Sequence, residues 1–145
     1  MTGRRHSRIF PARRDALPQV ESFLGEVCAG AGLGREACLR LTLLVEELFT
    51  NTVVHGHGAD SEAPIQLDCE VADGRVALTY EDTGPPHDPF AAVGAPDAAA
   101  GVEDRPVGGL GVLLVSVMAH QVEYRRVGDR NRISLVIGAT RSAQA

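Results

Sequence analysis

Apolar residues in the first third of the chain recur at intervals of three and four. Leu17, Val20, Leu24, Val27 and Cys28 share one helical face, which predicts a helix over Asp15 to Ala31. Pro18 falls in its first turn, where a missing N–H leaves no bond unmade. Gly30-Ala31-Gly32-Leu33-Gly34 supplies a stop and a connector. The same spacing over Leu41, Leu44, Val45 and Leu48 predicts a longer helix, Arg35 to His55, ended by Gly56-His57-Gly58. The period then drops towards two. Ile65 to Val71 and Arg75 to Tyr80 read as strands flanking an Ala72-Asp73-Gly74 hairpin turn, the second running into Glu81-Asp82. Arg8 to Ala12 is a short extended candidate. Residues 91–107 are rich in Ala, Gly and Pro and show no period, which marks a functional or mobile loop. Gly108-Gly109-Leu110-Gly111 opens an apolar helix, Val112 to His120. Strands Val122 to Arg126 and Ile133 to Ile137 flank Gly128-Asp129-Arg130-Asn131. The order β-α-α-β-β-loop-α-β-β predicts an α+β fold: a two-layer sandwich with helices on one face of a mixed, mostly antiparallel sheet.

Composition narrows the picture. A length of 145 residues suits a single domain, 1–145. With 4% aromatics, the core must be filled by Leu, Val, Ile and Ala. No apolar run approaches the roughly 18 residues of a membrane-spanning helix, and the arginine-rich start has no apolar stretch behind it, so it does not read as a secretory signal. The expected location is the cytoplasm. A net charge of -5 gives no general field for nucleic acid. Arg4, Arg5, Arg8, Arg13 and Arg14 are a local exception, read as a solvated start with residues 1–7 as a flexible arm. Cys28, Cys38 and Cys69 are widely spaced and odd in number, which predicts reduced thiols.

The chain contains no lysine: all 14 basic residues are arginine. A G-x-x-x-x-G-K-[ST] phosphate loop is therefore excluded, as are a kinase fold with a strand lysine on the phosphates and Schiff-base chemistry.

Three segments carry candidate chemistry. At 100° per residue, Leu41, Leu44, Val45 and Leu48 face the core while Glu47, Asn51 and His55 form a polar stripe along its edge. Glu46 points away, into water, so Glu47 is the glutamate placed at a cleft. A carboxylate and an amide one turn apart suit a hard cation and a hydroxyl or water, and equally suit a helix boundary. Asp82 ends a strand just before Gly84-Pro85-Pro86. Such a carboxylate can accept a hydrogen bond from an exocyclic amine, and the glycine lets a flat ligand approach the backbone, although a plain proline turn has the same composition. Gly109, Leu110 and Gly111 open a helix whose free N–H groups favour phosphate, or form a hinge. Together they offer a cation site, an amine acceptor and a phosphate cradle without lysine. His55, His57 and His87 lack the spacing of a tetrahedral zinc site. His120 is expected as a helix-end cap.

With these residues in view, the sequence resembles the GHKL, or Bergerat-fold, ATPases, and most of all the small bacterial anti-sigma-factor serine/threonine kinases. Glu47-Leu48-Phe49-Thr50-Asn51-Thr52-Val53-Val54-His55-Gly56 is similar to their N-box, Asp82-Thr83-Gly84-Pro85-Pro86 to their first glycine box, and Arg105-Pro106-Val107-Gly108-Gly109-Leu110-Gly111 to their second. Val122-Glu123-Tyr124 and Asn131-Arg132 belong to the similar stretch, which runs over about residues 8–138. The resemblance implies ATP and magnesium as cofactors. Asn51 would hold magnesium, Glu47 would act as general base, Asp82 would bind the adenine amino group and Gly84 would lie beside the ring. Gly109, Leu110 and Gly111 would cradle phosphate beneath a lid at 91–107, and Arg105 would add positive charge. Implied partners are an anti-anti-sigma antagonist bearing the acceptor serine and a sigma factor held inactive. The resemblance admits a homodimer and implies neither nucleic acid nor membrane as a partner. His87 departs from the family pattern. Two further readings stand beside the kinase: a nucleotide-responsive partner-binding module with little catalysis, and a detached catalytic half of a histidine kinase.

Overall fold

A computed structural model describes residues 4–72, 74–89 and 119–138. Within them lie β1 (Arg4–Pro11), a short 3-10 turn (Arg14–Ala16), α1 (Leu17–Ala31), α2 (Arg35–Asn51), a π-helical turn (Thr52–Gly56), β2 (Pro64–Ala72), β3 (Arg75–Asp82), β4 (His120–Val127) and β5 (Arg130–Gly138). The five strands form one sheet in the order β1-β2-β3-β5-β4. All four pairings are antiparallel, so the described sheet has no parallel pair, and the expected mixed character is not seen in it.

Period-two patterning sets the inner face. Ile65, Leu67, Cys69 and Val71 of β2, Val76, Leu78 and Tyr80 of β3, and Ile133, Leu135 and Ile137 of β5 are all buried. They pack under Val20, Leu24 and Val27 of α1 and Leu41, Leu44, Val45 and Leu48 of α2. This two-layer α+β sandwich is the expected one, with the helices on one face. The α1 connector ends as its glycines predict: Gly32 adopts φ 64°, and Leu33 N–H reaches back to the Cys28 carbonyl at 3.0 Å. Gly74 N–H of the β2–β3 turn takes the Ala31 carbonyl at 3.0 Å, tying the hairpin tip to the end of α1.

Several expectations are corrected. β1 begins at Arg4 and pairs along its whole length with β2, from Arg4↔Val71 to Pro11↔Pro64. The part of the expected arm from Arg4 to Ser7 is therefore edge strand; its exposed arginines suit an edge, where charge discourages further pairing. Cys28 and Cys38 are joined as a disulfide, with Cα atoms 5.8 Å apart. Reduced, widely spaced thiols were expected from separation along the chain, but the α1–α2 hairpin brings the last turn of one helix beside the first turn of the next. Cys69 is a free, buried thiol, pushed up to about 12 by burial and the Asp68 charge. His120 opens β4, so the expected helix does not reach it. The helix expected over 112–118, the loop at 91–107 and the second glycine box lie outside the described residues.

Candidate functional site

The site grows from the end of α2. Hydrogen bonding there widens from the α to the π pattern over Thr52–Gly56, closed by His57 N–H on the Thr52 carbonyl at 3.1 Å. A single π turn of this kind re-aims side chains at a helix end. Thr52, four residues after Leu48 and seven after Val45, keeps to the buried face of α2, while Asn51 and His55 lie on the wall of a cleft. The opposite wall is Pro85, Pro86, His87 and Pro89, and the floor is Tyr80, Asp82, Asn131 and Ile133. The cleft encloses about 180 Å³, below the roughly 300 Å³ at which pockets for whole small molecules begin. The described walls thus frame room for a flat ring.

Asp82 is the buried carboxylate of this floor, 8% exposed. Its Oδ2 accepts from the Thr52 hydroxyl at 2.8 Å. Its Oδ1 accepts from Gly84 N–H at 3.0 Å and from Asn131 Nδ2 at 2.9 Å. Thr52 Oγ1 and the Tyr80 hydroxyl are 2.6 Å apart. Each hydroxyl has one proton, and each also lies 3.0 Å from the Leu48 carbonyl, which already takes Thr52 N–H. The assignment that best satisfies the charge is a relay: Tyr80 donates to Thr52, and Thr52 donates to Asp82. Burial foremost, with the Asp82 charge adding and the Thr52 hydrogen bond opposing, pushes the Tyr80 phenol well above its ordinary value, so it remains a donor. An ionised carboxylate offers about four lone-pair sites. Among the described residues three are taken, which leaves the fourth for a donor in the cleft.

The two glycines of the site meet each other. A Cβ on Gly84 would lie 3.2 Å from the Gly56 Cα, tighter than carbon atoms usually pack, whereas a Cβ on Gly56 would meet only ordinary contacts; the close approach of the turn after β3 to the π turn thus rests on Gly84.

Of the residues expected from sequence, Asn51, Asp82 and Gly84 come together here, Asn51 and Asp82 as lining residues and Gly84 through its N–H on Asp82. The Asn51 amide has no hydrogen-bond partner among the described residues. Glu47 lies one turn before Asn51 on α2 and does not line the described cleft. Its Oε2 is buried without a partner, and burial raises its pKa, opposed by His55. Arg105, Gly109, Leu110 and Gly111 lie outside the described residues. Glu46 is only partly exposed, not wholly in water as expected. It turns to Glu21 of α1, and their shared hydrogen bond, partial burial and like charge push it up to about 7. Thr52, Tyr80 and Asn131 were not singled out for the site. Tyr80 and Asp82, two apart on one strand, necessarily share a face; Asn131 joins them through the cross-strand pair Asp82↔Asn131.

A family model described as the histidine kinase-like ATPase domain matches residues 10–137. The chain belongs to that family. No curated protein matches it. Among solved structures it is similar to the RsbU and RsbW domains of Rv1364c from Mycobacterium tuberculosis, with 18% identity and a TM-score of 0.64 over 93% of this chain and 32% of that one. It is also similar to the histidine kinase domain of a blue-light activated histidine kinase from Erythrobacter litoralis, with 20% identity and a TM-score of 0.52 over 92% of this chain and 64% of that one. The chain thus spans about a third of the first protein and under two thirds of the second. At such identities these likenesses establish the fold. No described helix is long and apolar enough to cross a membrane.

Proposed function

We propose that this ATPase-family domain binds ATP with magnesium, with the adenine ring in the described cleft, and that it acts as a serine/threonine protein kinase on an anti-anti-sigma antagonist while holding a sigma factor in a partner-switching pathway. The observation that carries the reading is the buried Asp82 carboxylate, held by Thr52, Gly84 and Asn131 with one acceptor site left. An exocyclic amine completes it; a carbonyl in the same place is repelled. The donor set along α2 fits the other end of the nucleotide. Asn51 would hold magnesium, which neutralises phosphate charge when bound. Glu47, with an unpartnered buried oxygen, would take the proton from an attacking serine hydroxyl. Its raised pKa suits that role, because a base works best when its pKa approaches the operating pH. Gly109, Leu110, Gly111 and Arg105 would serve the phosphates beneath a lid at 91–107. The antagonist and sigma-factor side of the reading is supported by the resemblance of the segments 47–56, 82–86 and 105–111 to the anti-sigma-factor kinases, and a homodimer is compatible with it. The cytoplasm is the proposed location.

Calorimetry with magnesium-ATP tests the pocket. The wild type binds and Asp82→Asn, which removes the acceptor charge but little volume, does not. Equal affinity in both defeats the adenine assignment. Transfer is tested with a purified antagonist: Glu47→Gln keeps nucleotide affinity and lowers phosphoserine formation by about 10²-fold or more. The Pro85-Pro86-His87 wall favours a second reading, in which nucleotide reshapes a partner surface with little turnover. It requires partner affinity to differ between ATP, ADP and no nucleotide.

A further inference from the structure

Behind Asp82 stands Asn131, 4% exposed. Its Nδ2 donates to Asp82 Oδ1 at 2.9 Å, to the Pro85 carbonyl at 2.9 Å and to the Gly84 carbonyl at 3.4 Å. Its Oδ1 accepts from the Tyr124 hydroxyl at 2.6 Å, from His87 N–H at 3.2 Å and from Arg126 Nη1 at 3.3 Å. Arg126 Nη1 also donates to the Gly84 carbonyl at 2.8 Å, and its Nε to the Gly128 carbonyl at 3.2 Å. Asn131 thus has acceptors on one side and donors on the other. Reversing its amide would set Oδ1 against a carboxylate and two carbonyls, and Nδ2 against a phenol, a guanidinium and a peptide N–H. Its orientation is therefore fixed by its neighbours. Two of the three groups that fix it, Tyr124 and Arg126, are two apart on β4 and share a face.

We propose that Tyr124 and Arg126 are positioning residues of the nucleotide cleft: acting through Asn131 and the Gly84 carbonyl, they hold the 84–87 turn and the Asp82 carboxylate in the orientation that accepts a base amino group. This rests on the ATP reading of the cleft. Neither residue lines the cleft. Tyr124 and Arg126 bind Asn131 Oδ1, which keeps Asn131 Nδ2 on Asp82 Oδ1 and leaves the carboxylate one direction for a ligand. Arg126 also draws the Gly84 carbonyl towards β4, which fixes the turn where Gly84 meets Gly56. Adenine offers an N–H where guanine offers a carbonyl oxygen. The clamp thus sets the preference for adenine as well as affinity.

The test is calorimetry of the full chain with magnesium-ADP and magnesium-GDP, with thermal unfolding alongside, on wild type, Tyr124→Phe, Arg126→Ala and Arg126→Lys. Tyr124→Phe, which removes one hydroxyl, weakens ADP binding about threefold to tenfold, the scale of a single hydrogen bond. Arg126→Ala weakens it about tenfold or more, and in both the ADP-to-GDP preference falls. Arg126→Lys restores part of both, because an ammonium can reach the Gly84 carbonyl. Wild-type binding with affinity and preference unchanged in the variants overturns the positioning role alone. Affinity lost in step with melting temperature, at an unchanged preference, makes the residues merely structural and also overturns it. A wild type that binds neither nucleotide overturns the ATP reading and this role with it.

Discussion

Thr52 joins three features that the sequence presents separately: the end of α2, the buried phenol of Tyr80 and the Asp82 carboxylate. Thr52→Val keeps the shape and removes the hydroxyl, leaving Asp82 short of a donor, while the Tyr80 hydroxyl turns to the Leu48 carbonyl. A buried polar group left unmatched costs about 1–3 kcal/mol, so urea unfolding of Thr52→Val should show a loss of that size with an unchanged slope, and Thr52→Ser should recover most of it. Glu46 gives a prediction of a different kind. Its carboxyl is raised from 4.5 to about 7 by Glu21. For an acid whose folded pKa lies above its unfolded one, the stabilisation is complete below the unfolded value and is lost as pH rises through the folded one. The chain should therefore lose stability between about pH 4.5 and 7 through this pair, and Glu46→Gln should flatten that part of a melting-temperature profile and raise the melting point at pH 8. A Glu46→Gln profile that overlays the wild type would show that the two carboxyls do not interact. Asp82 was legible because a strand end followed by glycine is a local pattern. Thr52 was not: four residues after Leu48 it falls on the buried face of the wheel, but only the sheet's approach shows that Tyr80 and Asp82 meet its hydroxyl.

At the scale of elements, spacing by three and four gave both long helices and a period near two gave the strands β2, β3 and β5, since burial of one face imposes those periods. It failed where long-range contacts decide. The wheel that set Glu46 in solvent ignored α1 lying alongside, and a uniform helix to His55 missed the change of pitch at Thr52. Separation along the sequence hid the Cys28–Cys38 bridge. That bridge spans 10 residues and closes the glycine-rich α1–α2 connector, a flexible segment in an unfolded chain. Loop-closure entropy places its contribution at about 2–3 kcal/mol. Cys28→Ser should lower stability by that amount in oxidised protein and by much less in protein kept under reductant. Comparing the two denaturation midpoints checks it, and equal losses in both conditions would mean that packing at this site, rather than the cross-link, is what the substitution disturbs.

The described part of the molecule is a sheet and helix pair whose cleft lies at one end, where α2 finishes, β3 finishes and β5 starts. That placement was implicit in the order of elements, but the pairing of β3 with β5 rather than with β4 had to be seen before Asn131 could join Asp82. Because the cleft draws on α2, β3 and β5 together, a ligand there binds the folded state and not the unfolded chain. Magnesium-ATP at about a hundredfold excess over its dissociation constant should then stabilise the protein by about 2.7 kcal/mol. The melting temperature should rise with nucleotide concentration in wild type and stay flat in Asp82→Asn. The Cys28–Cys38 bridge ties α1 to the first turn of α2, and the cleft lines the other end of that helix. The two effects should therefore add: Cys28→Ser should shift the whole melting curve downwards while leaving the nucleotide-induced rise intact. A rise that shrinks in Cys28→Ser would mean instead that the position of α2 couples the bridge to the cleft, and that stability and nucleotide binding in this domain are not separable.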